Sequence, residues 1–306
     1  NMNKTALILL AGLFAGTLSA ETNWKAWVRP AGTVGEGDTA KFSAPAGKRT
    51  SFETKVLLEK GHFYKVSFDL DFPGDAPEMF KCGFFSPELP FAFNEFKTGK
   101  GKISPVTYLY AKQDLDLWFR CYFVAGTDLK GVFSNPEFKK LSSDELKKIS
   151  LSETAENVSD WFQPSWMKNA LKLESVDAVD HIDEGKALKV SVPAGFQGRS
   201  ADLRSNPIPL LPETDYKITA WVKGGGMGTG TIGVDAWIRN GIKHYYANAS
   251  VAVSKEWKKV EFKFRTPSVA EQPALEYRSA RAKFGFRPNA ELTEVQLKDF
   301  TLEQVK

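Results

Sequence analysis

The chain has 306 residues, 42% of them hydrophobic and 13% aromatic, with 41 Lys and Arg against 37 Asp and Glu for a net charge of +4. Both signs are scattered along both halves, so the concentrated basic face that a nucleic-acid binder needs is missing, and nucleic acid is excluded as a partner. The length suits two domains of about 100 to 200 residues, each able to bury its own core.

The chain opens with a short basic segment, the apolar run ALILLAGLFAG and small residues up to Ala20. This is the pattern of a secretory signal peptide over residues 1–20, and the apolar run is shorter than the roughly 20 residues that span a bilayer. No later segment is apolar enough to cross one, so no membrane span is expected. The expected location is secreted, in the periplasm or outside a bacterial cell.

Two halves of the remaining chain repeat each other. Ala40-Lys-Phe-Ser-Ala-Pro-Ala-Gly47 returns as Leu188-Lys-Val-Ser-Val-Pro-Ala-Gly195, and Phe63-Tyr-Lys-Val-Ser-Phe-Asp-Leu70 returns as Asp215-Tyr-Lys-Ile-Thr-Ala-Trp-Val222. Phe80 to Phe85 takes the place of Ile232 to Trp237, and Phe133 to Phe138 that of Leu297 to Leu302. Self-similarity in the same order implies two copies of one domain. The boundaries are a first domain over 21–142, a short linker over 143–156 and a second domain over 157–306. Ser142 with Glu145 three residues later makes a capping box, so a helical turn is expected where the linker begins.

In the second copy, alternation and turn residues place strands at Ala187–Val192, Arg199–Pro207, Tyr216–Val222, Thr231–Ile238, His244–Val253, Lys258–Arg265, Arg281–Arg287 and Glu294–Glu303. Short alternating strands without a long helix define an all-β fold of two tandem β-sandwiches, and eight strands per unit suit a jelly roll. GTGTIG, residues 228 to 233, has the spacing of a dinucleotide loop, but VDAWIRNG after it alternates with period two and opens no helix. The glycines are expected in the loop of an antiparallel hairpin.

Chemistry-bearing patterns are sparse. His62, His181 and His244 make no metal-ligand spacing, no Gly-x-Ser-x-Gly elbow occurs, and nothing singles out a carboxylate pair. The chain is expected not to be an enzyme and to need no cofactor for chemistry.

Leu211-Pro-Glu-Thr-Asp-Tyr-Lys-Ile-Thr-Ala-Trp-Val-Lys-Gly224, Trp257-Lys-Lys-Val-Glu-Phe-Lys-Phe-Arg-Thr-Pro267 and Val295-Gln-Leu-Lys-Asp-Phe-Thr-Leu302 resemble the jelly-roll carbohydrate-binding modules appended to xylanases and glucanases. The first copy resembles them more weakly. The resemblance implies a glycan partner held on the outer, concave face of one sheet. Alternation then puts Asp235, Trp237, Arg239, Tyr246, Asn248, Arg204 and Arg287 outward, together with Asp202, as candidate ligand contacts. Pyranose rings stack on aromatic faces, and their hydroxyls need paired donors and acceptors. Trp221 and Trp257 are expected to be structural.

The resemblance also implies a structural calcium, with Asp299 and the turn at Asp183 at the matching places. The repeat puts Cys82 and Cys121 on adjacent antiparallel strands, where they could form a disulfide or stay as free buried thiols. The alternative to a glycan-binding protein is a structural or adhesive cell-surface protein that uses the sandwiches for protein contacts.

Overall fold

The computed structural model describes residues 33–36, 39–86, 89–96, 98–111, 114–148, 161–164, 171–236, 245–268 and 280–305. The signal-peptide segment lies outside them. No helix among the described residues is long and apolar enough to cross a membrane.

The first half forms β1 (Val34–Glu36), β2 (Thr39–Ala44), β3 (Arg49–Leu58), β4 (Phe63–Phe72), β5 (Met79–Ser86), β6 (Leu89–Phe96), β7 (Gly101–Ile103), β8 (Val106–Tyr110), β9 (Leu115–Val124) and β10 (Leu129–Lys140). They make two antiparallel sheets, ordered β1-β2-β10-β4-β7 with β8 also on β4, and β3-β9-β5-β6. A short helix α1 (Ser143–Lys148) follows. The expected capping box is formed: Ser142 N–H donates to Glu145 Oε2 at 2.9 Å, and Glu145 N–H donates back to Ser142 Oγ at 3.2 Å.

The second half forms β11 (Trp161–Phe162), β12 (Lys172–Asp177), β13 (Lys186–Ser191), β14 (Ala201–Ile208), β15 (Asp215–Gly224), β16 (Gly228–Ala236), β17 (Tyr245–Val253), β18 (Lys258–Arg265), β19 (Ala280–Phe286) and β20 (Glu294–Gln304). Its sheets are ordered β12-β13-β20-β15-β18 and β11-β14-β19-β16-β17. The protein is thus a tandem pair of all-β sandwiches. The sheet β3-β9-β5-β6 is called the β9 sheet and the sheet β11-β14-β19-β16-β17 the β19 sheet.

The repeat in sequence is a repeat in topology. The order β2-β10-β4 matches β13-β20-β15, and β3-β9-β5-β6 matches β14-β19-β16-β17. Both closing strands carry a bulge, at Asn135 and at Asp299, and each of these residues has a φ of 50°. Asn and Asp tolerate the left-handed region better than other side chains, which suits them to this place. Tyr64 and Tyr216, each second in its strand, accept the backbone N–H of Glu59 and Leu211 at 2.8 and 2.9 Å.

Alternation fills the cores. In β2, TAKFSA alternates exposed and buried residues from one end to the other. The first core is phenylalanine-rich: Phe52 stacks on Phe133 with ring centres 4.6 Å apart, and Phe68 packs against Phe80, Phe119 and Phe133. The second relies on aliphatic residues with Phe284, Phe286 and Phe300.

GTGTIG does not form a hairpin loop. Residues 228 to 233 lie within β16, and β15 pairs with β18 and β20 in the opposite sheet, so the chain crosses between sheets at residues 225 to 227. The glycines are there for crowding. A Cβ on Gly228 would come within 2.5 Å of Leu292, and one on Gly230 within 3.0 Å of Val251.

Candidate functional site

The outer face of the β19 sheet is set in rows by strand register. Asp202, Gly285, Thr231 and Ser250 lie side by side; the next row is Arg204, Lys283, Gly233 and Asn248; beyond it Arg281 is opposite Asp235, and Asp235 opposite Tyr246. Charges of opposite sign interlock between the rows. Arg204 Nε lies 2.7 Å from Asp235 Oδ2, and Lys283 Nζ lies 3.7 Å from Asp202 Oδ1.

The outward placement of Arg204 and Asp235 is as alternation predicts, but neither side chain is presented to solvent, with 6% and 4% of their surfaces exposed. Burial raises the pKa of Asp235, and the cations Arg204, Lys283 and Arg281 offset only part of that rise. Their expected role as open ligand contacts is therefore corrected to that of a buried ion pair.

Part of the cover comes from the first sandwich. Arg281 donates through Nη1 to Ser205 O at 2.7 Å and through Nη2 to Glu95 O, at the end of β6, at 2.6 Å. Its guanidinium carbon lies 5.0 Å from the Phe96 ring centre and 4.9 Å from that of Phe162. Burial pulls the pKa of Arg281 down to about 10, so it stays charged at neutral pH. A second contact joins Phe63, Tyr108 and Leu141 to Leu146 of α1 and Leu211 ahead of β15.

The other end of the same face is open. A cavity of about 580 Å³ is lined by Arg199, Ser200, Asp202, Thr231, Lys283, Gly285 and Arg287 among others. Gly285 makes its floor, because a Cβ there would overlap Asp202 Oδ1. Ser200 Oγ donates to Asp202 Oδ2 at 3.0 Å. Of the sequence candidates, Arg287 lines this cavity, while Asn248 is exposed in the neighbouring row on β17. Trp237 and Arg239 lie outside the described residues, and for Tyr246 only the backbone position opposite Asp235 is described.

The β9 sheet carries a set of outer residues that was not among the sequence candidates. In β9, Leu117, Phe119, Cys121 and Phe123 are buried, which turns Trp118, Arg120 and Tyr122 outward, each half-buried. Trp118 and Tyr122 stand about 14 Å apart along the strand at about 3.4 Å per residue. Lys55 Nζ lies 5.4 Å from the Trp118 ring centre, the Arg49 guanidinium lies 3.8 Å over Tyr122, and Arg120 Nε is 2.6 Å from Glu53. The signal was present in LDLWFRCYFV, whose alternation puts these three residues on one face.

Cys82 and Cys121 are directly opposed on β5 and β9, and both are free, fully buried thiols. Burial pushes both thiol pKa values up. Trp221 and Trp257, expected to be structural, bracket His181 at 4.8 and 5.1 Å, and Trp257 Nε1 donates to Val179 O at 2.9 Å.

The residues at the implied calcium position do not fit that ion. Lys298, only 4% exposed, places its ammonium 3.3 Å from Asp299 Oδ1 and beneath Gly185, so a cation of the chain stands beside the carboxylate. Asp183 is exposed and gives its N–H to His181 Nδ1 at 3.0 Å. No group of three or more His, Cys, Asp or Glu among the described residues is placed to hold a metal.

Residues 147–279 match the family model of a carbohydrate binding domain. The tandem N-terminal CBM22-1-CBM22-2 domain of Paenibacillus barcinonensis Xyn10C is similar at 12% identity over 92% of this chain and 94% of that one, with a TM-score of 0.40. The N-terminal cellulose-binding domain of a Cellulomonas fimi β-1,4-glucanase C is similar at 21% identity over 39% of this chain and 79% of that one, with a TM-score of 0.31. The CBM22-1-GH10 modules of Clostridium thermocellum xylanase 10B, solved with xylohexaose, are similar at 14% identity over 52% of this chain and 28% of that one, with a TM-score of 0.36. No curated protein is matched. The fold is a tandem pair of β-sandwiches, and the match to a carbohydrate binding domain is carried by the second half of the chain.

Proposed function

We propose that this is an exported, non-catalytic protein that holds a glycan on the outer faces of its β9 and β19 sheets. The observation that carries the reading is the cavity between Arg199 and Arg287, which opens on a sheet face in the half of the chain that matches a carbohydrate binding domain. Its glycine floor gives a ligand room to approach the sheet, and Ser200, Thr231 and Asp202 supply hydroxyl and carboxylate partners for sugar hydroxyls. On the first sandwich, Trp118 offers a ring face for the apolar side of a pyranose, beside the Tyr122 ring that Arg49 covers on one side, with Arg120 and Glu53 as hydrogen-bonding groups. Trp237, Arg239, Tyr246 and Asn248 remain proposed contacts on the second.

Affinity electrophoresis of the full chain through gels containing xylan, mixed-linked β-glucan or an acidic polysaccharide tests this. Trp118→Ala and Trp237→Ala should each weaken retention about tenfold, as expected for loss of one stacking ring worth about 1.4 kcal/mol, with an unchanged melting temperature. Retention on no polysaccharide, together with self-association of the purified chain, would favour the structural or adhesive reading. A feature in favour of that second reading is that the β19 face already makes a protein contact at Arg281, although within one chain.

A further inference from the structure

We propose that the cavity on the β19 sheet takes an anionic saccharide, one bearing a carboxylate or a sulfate, and that Arg199 and Arg287 pair with its charge. The proposal rests on the glycan-binding reading above and names the ligand class of that site.

The lining carries three cations, Arg199, Lys283 and Arg287, against one carboxylate, Asp202. Lys283 is 3.7 Å from Asp202, so those two charges compensate each other inside the cavity wall. The two arginines are left over. Arg120, Arg204 and Arg265 each lie within 2.6 to 2.8 Å of a carboxylate, Arg49 stacks on Tyr122 and Arg281 bonds backbone carbonyls, whereas the exposed Arg199 and Arg287 have no side-chain partner among the described residues. With a net charge of only +4 over the chain, this local excess is not a sample of a generally basic surface.

The lining is also poor in what a neutral sugar uses. Its one aromatic residue among the described ones, Phe286, is 2% exposed and belongs to the core, so it offers no ring face. A planar guanidinium fork matches a carboxylate or sulfate in two-point contact, and at a concave site these charge-assisted bonds exceed neutral ones. Thr231 and the Ser200 hydroxyl then stand where the sugar's own hydroxyls would lie. The first sandwich differs in carrying aromatic side chains, Trp118 and Tyr122, on its outer face.

The test is retention of the full chain on polygalacturonate, a sulfated galactan, neutral xylan and neutral β-glucan, with poly-glutamate as a charged polymer that is not a sugar. Wild type should be retained on one or both acidic polysaccharides, the preferred one distinguishing carboxylate from sulfate. Arg199→Ala with Arg287→Ala should lose that affinity about tenfold or more while melting as wild type does, since both side chains are exposed. Full retention of the double variant on the acidic polymers would overturn the proposal. So would equal binding of poly-glutamate, which would make this a plain anion site. Loss of neutral-glycan binding alone would overturn it while leaving the glycan-binding reading intact, and retention on nothing would remove both.

Discussion

Replacing Arg281 with alanine removes one of the groups that tie the two sandwiches together, beside the Phe63–Leu211 contact, and the structure allows the cost to be worked out. The substitution deletes charged donors to Ser205 O and Glu95 O and the contacts with the Phe96 and Phe162 rings. A hydrogen bond to a charged group contributes about 1.5 to 3 kcal/mol, and each cation–π contact about 0.5 to 1. One side chain makes all four, so they do not add fully. Asp235 keeps Arg204 at 2.7 Å, which limits the penalty of an uncompensated carboxylate. A net loss of about 3 to 5 kcal/mol is expected, or a fall in melting temperature of about 6 to 20 °C at roughly 2 to 4 °C per kcal/mol. Arg281→Lys keeps the charge but has no planar fork to reach both carbonyls, and should lose about half as much. Calorimetry measures the stability, and small-angle scattering measures docking: Arg281→Ala should raise the radius of gyration and split one transition into two. An alanine variant within about 1 kcal/mol of wild type and equally compact would refute the reasoning.

Three other outcomes follow from particular contacts. Burial pushes the pKa of Asp69 up, but hydrogen bonds from Ser104, Asn135 and Lys102 outweigh it and hold the carboxyl below its usual value; the stability so gained is present above about pH 4 and is lost as pH falls through the folded pKa. The urea midpoint of wild type should therefore drop more steeply in acid than that of Asp69→Asn, and parallel curves would exclude this role. Gly285→Ala should cost about 1 to 3 kcal/mol in melting experiments, because its Cβ would overlap Asp202 Oδ1 and meet Ala201 O at 2.9 Å; a neutral substitution would mean that the cavity floor yields. Cys82 and Cys121, buried with raised pKa values, should resist a thiol reagent at mildly alkaline pH and both react once denaturant is added, so rapid labelling of the native chain would contradict their burial.

What was legible in the sequence follows from what alternation encodes. The eight strands expected in the second half are all present, because apolar and polar residues alternate along them in sequence, although β14 and β19 end up buried on both faces. β12 was not visible, since KLESVD is an edge strand with little burial on either face, and Trp161–Phe162 is too short to show a period. GTGTIG was misplaced because glycine is usually a turn signal, whereas here neighbours such as Leu292 and Val251 leave no room for a side chain. At the site, alternation located the outer face correctly at Asp202, Arg204, Asp235 and Arg287. It could not separate covered from open positions, because the cover on Arg281 comes from Glu95, 186 residues away in the chain. Trp118 and Tyr122 were legible in LDLWFRCYFV, but the repeat pointed to Phe85 on β5 as the counterpart of Trp237 and so away from β9.

The two copies share strand order, bulge and tyrosine contact, so their scaffolds impose the same outer sheet face twice. What differs is the chemistry laid on it. On β9 the outward positions are Trp118, Arg120 and Tyr122; on the equivalent β19 they are Arg281, Lys283 and, past a glycine, Arg287. The half-buried positions Trp118, Arg120 and Tyr122 alternate with the inward core residues, whereas Arg281 and Lys283 are themselves buried and tied to neighbouring groups. The β19 face is moreover divided. Its Arg281 end is held by β6 of the first sandwich, and a cavity opens at its Arg287 end. If the β19 face takes a glycan as proposed, the Arg199–Arg287 end is the part that the cavity opens to a ligand.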